Sequence, residues 1–154
     1  MQFAGAIHEP QRARGHAEKE ISIEESIMEI NDITGQIIDS AMKVHSALGP
    51  GLLESACETC LAHEPRKRGL DVKTQILLPI DHDGVKLDAG YRVDLLVEST
   101  VIAELKAVER MNPIFEAQLL SYLKLSRLEV GLLLNFHVSR LKDGLKQIVN
   151  NYEG

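Results

Sequence analysis

Asp94, Glu104 and Lys106 stand at spacings that bring them together if the segment 91–108 folds back on itself. Tyr91, Val93, Leu95 and Val97 alternate with Arg92, Asp94 and Leu96, and a second apolar run extends from Val101 to Val108. Both have the signature of strands. With Glu98, Ser99 and Thr100 as the loop, Val97 pairs with Val101; counting outward sets Leu96 opposite Ile102, Asp94 opposite Glu104 and Arg92 opposite Lys106. Directly opposed side chains have Cβ atoms roughly 5 Å apart, where like charges destabilise a hairpin. A fold that keeps Asp94 facing Glu104 therefore needs positive charge beside them. Lys106, two residues from Glu104 on the same strand face, is one source and a divalent cation is another. Magnesium takes hard oxygen ligands, commonly one or two carboxylates with water and substrate phosphate. It can activate a water while neutralising phosphoryl charge, and a nearby lysine can stabilise the transition state. The same residues also suit a solvated sheet face or a simple Lys106 ion pair.

The elements around this hairpin are legible from periodicity. Ile33, Ile37, Ala41, Val44 and Leu48 recur at helical steps, with Asn31 or Asp32 as the cap and Gly49-Pro50-Gly51 as the stop. His45 falls on the apolar face and reads as a satisfied buried histidine. Leu53, Ala56, Cys57, Cys60 and Leu61 begin a second helix, ended or kinked by Pro65. Glu54 sits at the margin of its apolar stripe. Val72, Thr74, Ile76, Leu78 and Ile80 alternate with Lys73, Gln75, Leu77 and Pro79 as a strand, and Asp83-Gly84 is a turn signal. Asn112-Pro113 opens a helix that runs to about Ser126. On its wheel Gln118 and Tyr122, four apart, fall inside the apolar arc set by Ile114, Phe115 and Leu125, so two polar tips point inward and require partners. Val130 to Phe136 reads as a strand buried on both faces. Ser139 caps a last helix carrying Leu141, Leu145, Ile148 and Val149. The chain is thus an α/β protein.

Asp94, Glu104-Leu105-Lys106 and the later Gln118 and Tyr122 as Q-x-x-x-Y form a pattern that resembles the signature of the PD-(D/E)XK nuclease superfamily in its RecB-like form. The segments L-G-P-G-L-L-E (Leu48 to Glu54), Y-R-V-D-L-L-V-E, A-E-L-K-A-V-E and E-A-Q-L-L-S-Y-L-K are similar to the bacterial GxxExxY family within it, over about residues 31 to 150. The resemblance implies a restriction-endonuclease-like core, a mixed sheet between helices in the order αβββαβ. It also implies metal-dependent phosphodiester hydrolysis with magnesium, or manganese as substitute; it does not give the substrate, for which DNA is expected ahead of RNA. Asp94 and Glu104 would be metal ligands, with the Leu105 carbonyl as a further one; Lys106 would be catalytic, Glu54 an additional acidic ligand, and Gln118 and Tyr122 supporting residues of the site. Three positions depart from the pattern: Cys57 stands where the family motif ends in Tyr, Pro65 where relatives continue a helix, and Val93 where the superfamily name has Pro. The competing expectation is a nuclease-fold module that binds nucleic acid or a protein partner without cutting it.

Composition bounds these readings. A chain of 154 residues with 44% hydrophobic and 26% charged residues is ordinary globular material, neither disordered nor collagen-like nor a disulfide scaffold. Net charge is -6, which argues against holding nucleic acid by bulk electrostatic attraction. Residues 1–32 carry seven acids against three bases, so most of that excess lies outside the candidate site. Residues 1–20 show no sustained apolar period and read as a flexible extension; 21–154 read as a single nuclease-like domain. No signal peptide and no membrane-length apolar run are visible, so a cytoplasmic location is expected. Cys57-x-x-Cys60 with His63 lacks the second cysteine pair of a zinc site and reads as reduced core thiols. Arg66, Lys67, Arg68 and Lys73 are candidates for contact with a phosphate backbone. Three Tyr, three Phe and no Trp offer few stacking platforms for prolonged unaided binding of single strands, and net acidity with small size favours action as a homo-oligomer or with a larger protein partner.

Overall fold

The computed structural model describes residues 15–151, with side chains from Ile30 onward except that of Ala89. Among them the chain forms helices α1 (Gly15–Leu48) and α2 (Glu54–Lys67), then strands β1 (Val72–His82), β2 (Val85–Val97) and β3 (Val101–Lys106). Helix α3 (Pro113–Ser126), strand β4 (Val130–Asn135), a short 3-10 turn (Leu141–Gly144) and strand β5 (Leu145–Val149) complete it. The five strands form one sheet in the order β1-β2-β3-β4-β5. The β3–β4 pair is parallel and the other neighbours are antiparallel. This is the mixed α/β, αβββαβ arrangement expected of a restriction-endonuclease-like core.

Strand parity divides the core into two layers. Val101, Ala103 and Leu105 of β3, with Leu132 and Leu134 of β4, face Ile37, Ala41 and Val44 of α1 and Cys57 and Leu61 of α2. Ile102 and Leu133 point the other way, against Leu119, Tyr122 and Leu123 of α3. All six residues of β4 are buried, as befits a strand covered on both faces. Since Ile102 faces α3, Glu104 and Lys106 follow on that side, and α3 is the helix that approaches them.

Local signals explain most boundaries. Asn112 caps α3 by accepting from Ile114 N at 2.9 Å, with Pro113 at the first turn. Gly49, at φ 78°, ends α1. Asp83 and Gly84, at φ 52° and 84°, make the tight turn between β1 and β2. His45 is buried and its Nε2 donates to the Val138 carbonyl at 2.8 Å, the satisfied core histidine that its position implied.

Three expectations are corrected. The helix expected to start at Asn31 or Asp32 passes straight through them from Gly15, and Asp32 accepts from the Gln36 side chain instead of capping. Residues 1–14 of the segment read as an extension lie outside the described residues. Pro65 neither ends nor visibly breaks α2, which continues to Lys67 with the Pro65 ring buried; so close to the terminus its missing N–H costs a single bond, and Gly69 at φ 87° follows the end. The last helix is replaced by a 3-10 turn and β5. Leu141, Leu145 and Ile148 have helical spacing, yet Leu141 and Leu145 pack on the α1/α2 layer and Ile148 on the α3 layer. They never form one stripe. Strand β4 needs a backbone partner on its free side, and β5 supplies it, pairing from Val130↔Val149 to Leu134↔Leu145.

The corner before β5 is tight: a Cβ added at Gly144 would run into the Asn135 carbonyl oxygen. Gly144→Ala should therefore destabilise the fold by about 1–3 kcal/mol, read as a lowered thermal midpoint with the far-ultraviolet spectrum of the folded state unchanged.

Candidate active site

The β2–β3 hairpin is set by its turn. Glu98 and Ser99 take left-handed backbone, φ 53° and 52°, and Thr100 N donates to Val97 O at 3.0 Å. Asp71, just before β1, holds the loop in place: its N–H donates to the Glu98 carboxylate at 2.6 Å, and Glu98 N donates to Asp71 O at 2.8 Å. The pairs Val97↔Val101, Leu96↔Ile102 and Leu95↔Ala103 follow, the register expected from a three-residue loop. One step further the ladder gives way to side chains. Asp94 N donates to Glu104 Oε2 at 2.8 Å, and Leu105 N donates to Asp94 Oδ2 at 2.9 Å. Each carboxylate is thus anchored by the backbone of the opposite strand, and the two acids sit beside each other. Glu104 is only 7% exposed. Its Oε1 accepts no hydrogen bond among the described residues.

Lys106 makes no ion pair among the described residues. Its Nζ lies over the Phe115 ring of α3, 4.3 Å from the centroid, a cation–π contact. The chain beyond β3 is held by Asn135, a residue the sequence did not flag. Its buried amide accepts from Val108 N and His137 N and donates to Val108 O, at 3.1, 3.2 and 2.9 Å, while Phe136 N donates to Lys106 O.

Charge and burial set the protonation of the group. Burial, then the Asp94 carboxylate, push Glu104 up to about 8, against the lowering effects of the Asp94 amide and Lys106. Tyr122 is buried against the Tyr91 ring, centroids 5.1 Å apart. Its phenol is raised by burial and then by the charges of Glu104 and Asp94. Glu54, the first residue of α2, is raised by burial and then by Asp94, with Lys106 acting in the opposite sense. Glu58, one turn along α2, is raised by burial and by Asp94; sequence reading passed over it, although its spacing of four from Glu54 was the available signal. Gln118 is half-buried on α3 between Phe115 and Tyr122 and makes no hydrogen bond among the described residues. Leu105 is fully buried in the α1/α2 layer and contributes only its backbone here. Cys57 is buried, with its thiol raised by burial, and Cys60 is also a free thiol.

The basic candidates are placed apart from this group. Arg66, Lys67 and Arg68 close the far end of α2, about 18 Å along the helix from Glu54. Arg66 donates to Val72 O at 2.8 Å, Lys67 pairs with Glu64 at 3.6 Å and Arg68 with Asp39 at 2.6 Å. Lys73 is nearer, two residues before Gln75 on β1, and lies 3.8 Å from Asp71.

Among the described residues no set of three or more His, Cys, Asp or Glu side chains is close enough to enclose a metal ion. The donors that do come together are the Asp94 and Glu104 carboxylates, next to the Leu105 main chain. Two carboxylates completed by water are a sufficient set for magnesium, which keeps several of its waters.

A family model described as the PD-(D/E)XK nuclease superfamily matches residues 31–148. No curated protein and no solved structure gives a match. The matched span includes every residue of the group just described, from Glu54 to Tyr122, and the chain belongs to the PD-(D/E)XK nuclease superfamily.

Proposed function

We propose that the protein is a divalent-metal-dependent nuclease that hydrolyses phosphodiester bonds in DNA, using magnesium or, in its place, manganese. The observation that carries this reading is the crossed anchoring of Asp94 and Glu104, which fixes two carboxylates side by side next to a lysine without an acidic partner. Nucleases of this superfamily generally use divalent metals. The donor set fits: a cation bound by Asp94, Glu104 and the Leu105 carbonyl would supply Lewis-acid charge to the phosphoryl group and draw a proton from water.

The remaining steps belong to the chain. Lys106 is free to hold the attacking water or a phosphoryl oxygen, and Phe115 keeps its ammonium beside the acids rather than in solvent. Hydrolysis joins a water oxygen to phosphorus and breaks a phosphorus–oxygen ester bond, with the departing alkoxide taking up a proton. The Tyr122 phenol, raised and therefore protonated at neutral pH, is a hydrogen-bond donor facing this region. Gln118 completes the α3 face and Glu54 offers a further acid from α2. Lys73 would meet the nucleic-acid backbone near the site, with Arg66, Lys67 and Arg68 as outlying contacts. With a net charge of -6, productive binding would draw on a second copy or a larger partner.

Single- and double-stranded DNA and RNA, incubated with magnesium or manganese, test the proposal. DNA should be cut by the parent, and Asp94→Ala and Lys106→Ala should each lose about 100-fold or more. A folded parent that cuts none of the four, with no metal uptake depending on Asp94, would leave the non-cleaving module as the reading.

Glu104 gives a second expectation. Its folded value is raised to about 8, so between the ordinary carboxylate range and that value the native state binds more proton than the unfolded chain. Stability of the metal-free protein must then fall as pH rises through this window. Glu104→Gln should flatten the fall, so that its thermal midpoint drops less than the parent's as pH rises to about 8. An equal slope in both proteins would sink the assignment.

A further inference from the structure

Gln75 occupies the middle of β1 with φ 53°, a conformation that residues other than glycine, asparagine and aspartate seldom take. The register is unbroken around it: Thr74 pairs with Leu95 and Ile76 with Val93, so Gln75 stands opposite Asp94, and that pair alone is missing from the run. The apolar rows change layer at the same point. Val72 and Leu95 pack with α1 and α2, whereas Ile76, Leu78 and Val93 pack with α3, so the row that alternation placed on one face is split in two. The left-handed residue interrupts the pleat, and its side chain meets two acids. Gln75 Nε2 donates to Glu58 Oε1 at 2.7 Å and to Asp94 Oδ1 at 3.3 Å. A primary amide has two N–H bonds on one nitrogen and is neutral, so it can serve both carboxylates without pairing off the charge of either.

Asp94 is then fixed at both oxygens, Oδ2 by the Leu105 amide and Oδ1 by Gln75. We infer that Gln75 is a positioning residue for the metal centre: it locks the rotation of the Asp94 carboxylate and ties Glu58 of α2 to it. The inference rests on the nuclease reading above. The left-handed backbone falls at the point where β1 crosses Asp94 and where the Gln75 amide reaches both acceptors.

The test uses the whole chain, comparing the parent with Gln75→Gly and Gln75→Ala by calorimetric titration with manganese and by thermal unfolding without metal. Glycine removes the amide and accepts the left-handed backbone freely; alanine removes the amide and keeps the conformational cost. The Gly variant should melt at or above the parent temperature, the Ala variant below the Gly variant, and both should bind manganese about tenfold more weakly, the scale of lost outer contacts to a metal ligand. Manganese affinity equal to the parent's in a stable Gly variant would overturn the role of Gln75 while leaving the metal centre standing. Loss of affinity in the Ala variant alone, in step with its melting temperature, would overturn it too, in favour of a purely structural part. A folded parent that takes up no manganese would overturn this inference together with the nuclease reading.

Discussion

Two backbone amides that a longer β2–β3 ladder would have given to carbonyls are given to carboxylates instead. Asp94 N–H goes to Glu104, and Leu105 N–H goes to Asp94. Both amides keep a partner at ordinary hydrogen-bond distance, 2.8 and 2.9 Å, so the exchange does not leave the hairpin unpaired at its end. It does prevent either acid from turning to solvent to escape the other. Burial, and then the Asp94 carboxylate beside it, keep the proton on Glu104 to about 8. A folded state that stores such a pair is complementary to a cation in a way that a freely hydrated pair is not.

The rest of the architecture keeps this arrangement in place and brings other groups to it. Parity along β3 turns Glu104 and Lys106 towards α3, and α3 answers with Phe115, Gln118 and Tyr122 on one side of its cylinder. Asn135, at the end of the neighbouring parallel strand, ties down the chain after Lys106 through both atoms of its amide. Helix α2 brings Glu54 and Glu58 from the opposite layer. Cys57, between them on α2, is buried in the α1/α2 core.

What the sequence discloses follows from what kind of signal each element leaves. The hairpin and its register were legible because alternation, loop length and the pairing rule act locally, and the carboxylate pair followed by counting. The cap of α3 and the glycine stops were legible because their chemistry is local as well. The terminal segment was misread because Leu141, Leu145 and Ile148 have the spacing of a helix stripe, while the demand that makes β5 a strand comes from the unpaired edge of β4, which no local window contains. Gln75 left no mark for a different reason: a left-handed glutamine has no sequence signature, and the β1 alternation runs through it undisturbed. Glu58 was hidden by looking ordinary, a helix glutamate whose neighbour in space comes from another strand.

The acidity of the chain bears on the proposed substrate. Glu54, Glu58 and Glu104 each feel the charge of Asp94, and a phosphate brought alone to such a group would be repelled by the acids. The same acids are what a divalent cation requires, and protonation of Glu104 lowers the repulsion while the place is free of metal. On the nuclease reading, cation uptake would displace that proton, and the local field would then favour a phosphoryl group. Within the nuclease reading, binding of cation and of nucleic acid are therefore thermodynamically coupled, each strengthening the other. A net negative protein can then act on a polyanion, provided the positive charge arrives with the metal rather than residing in the fold.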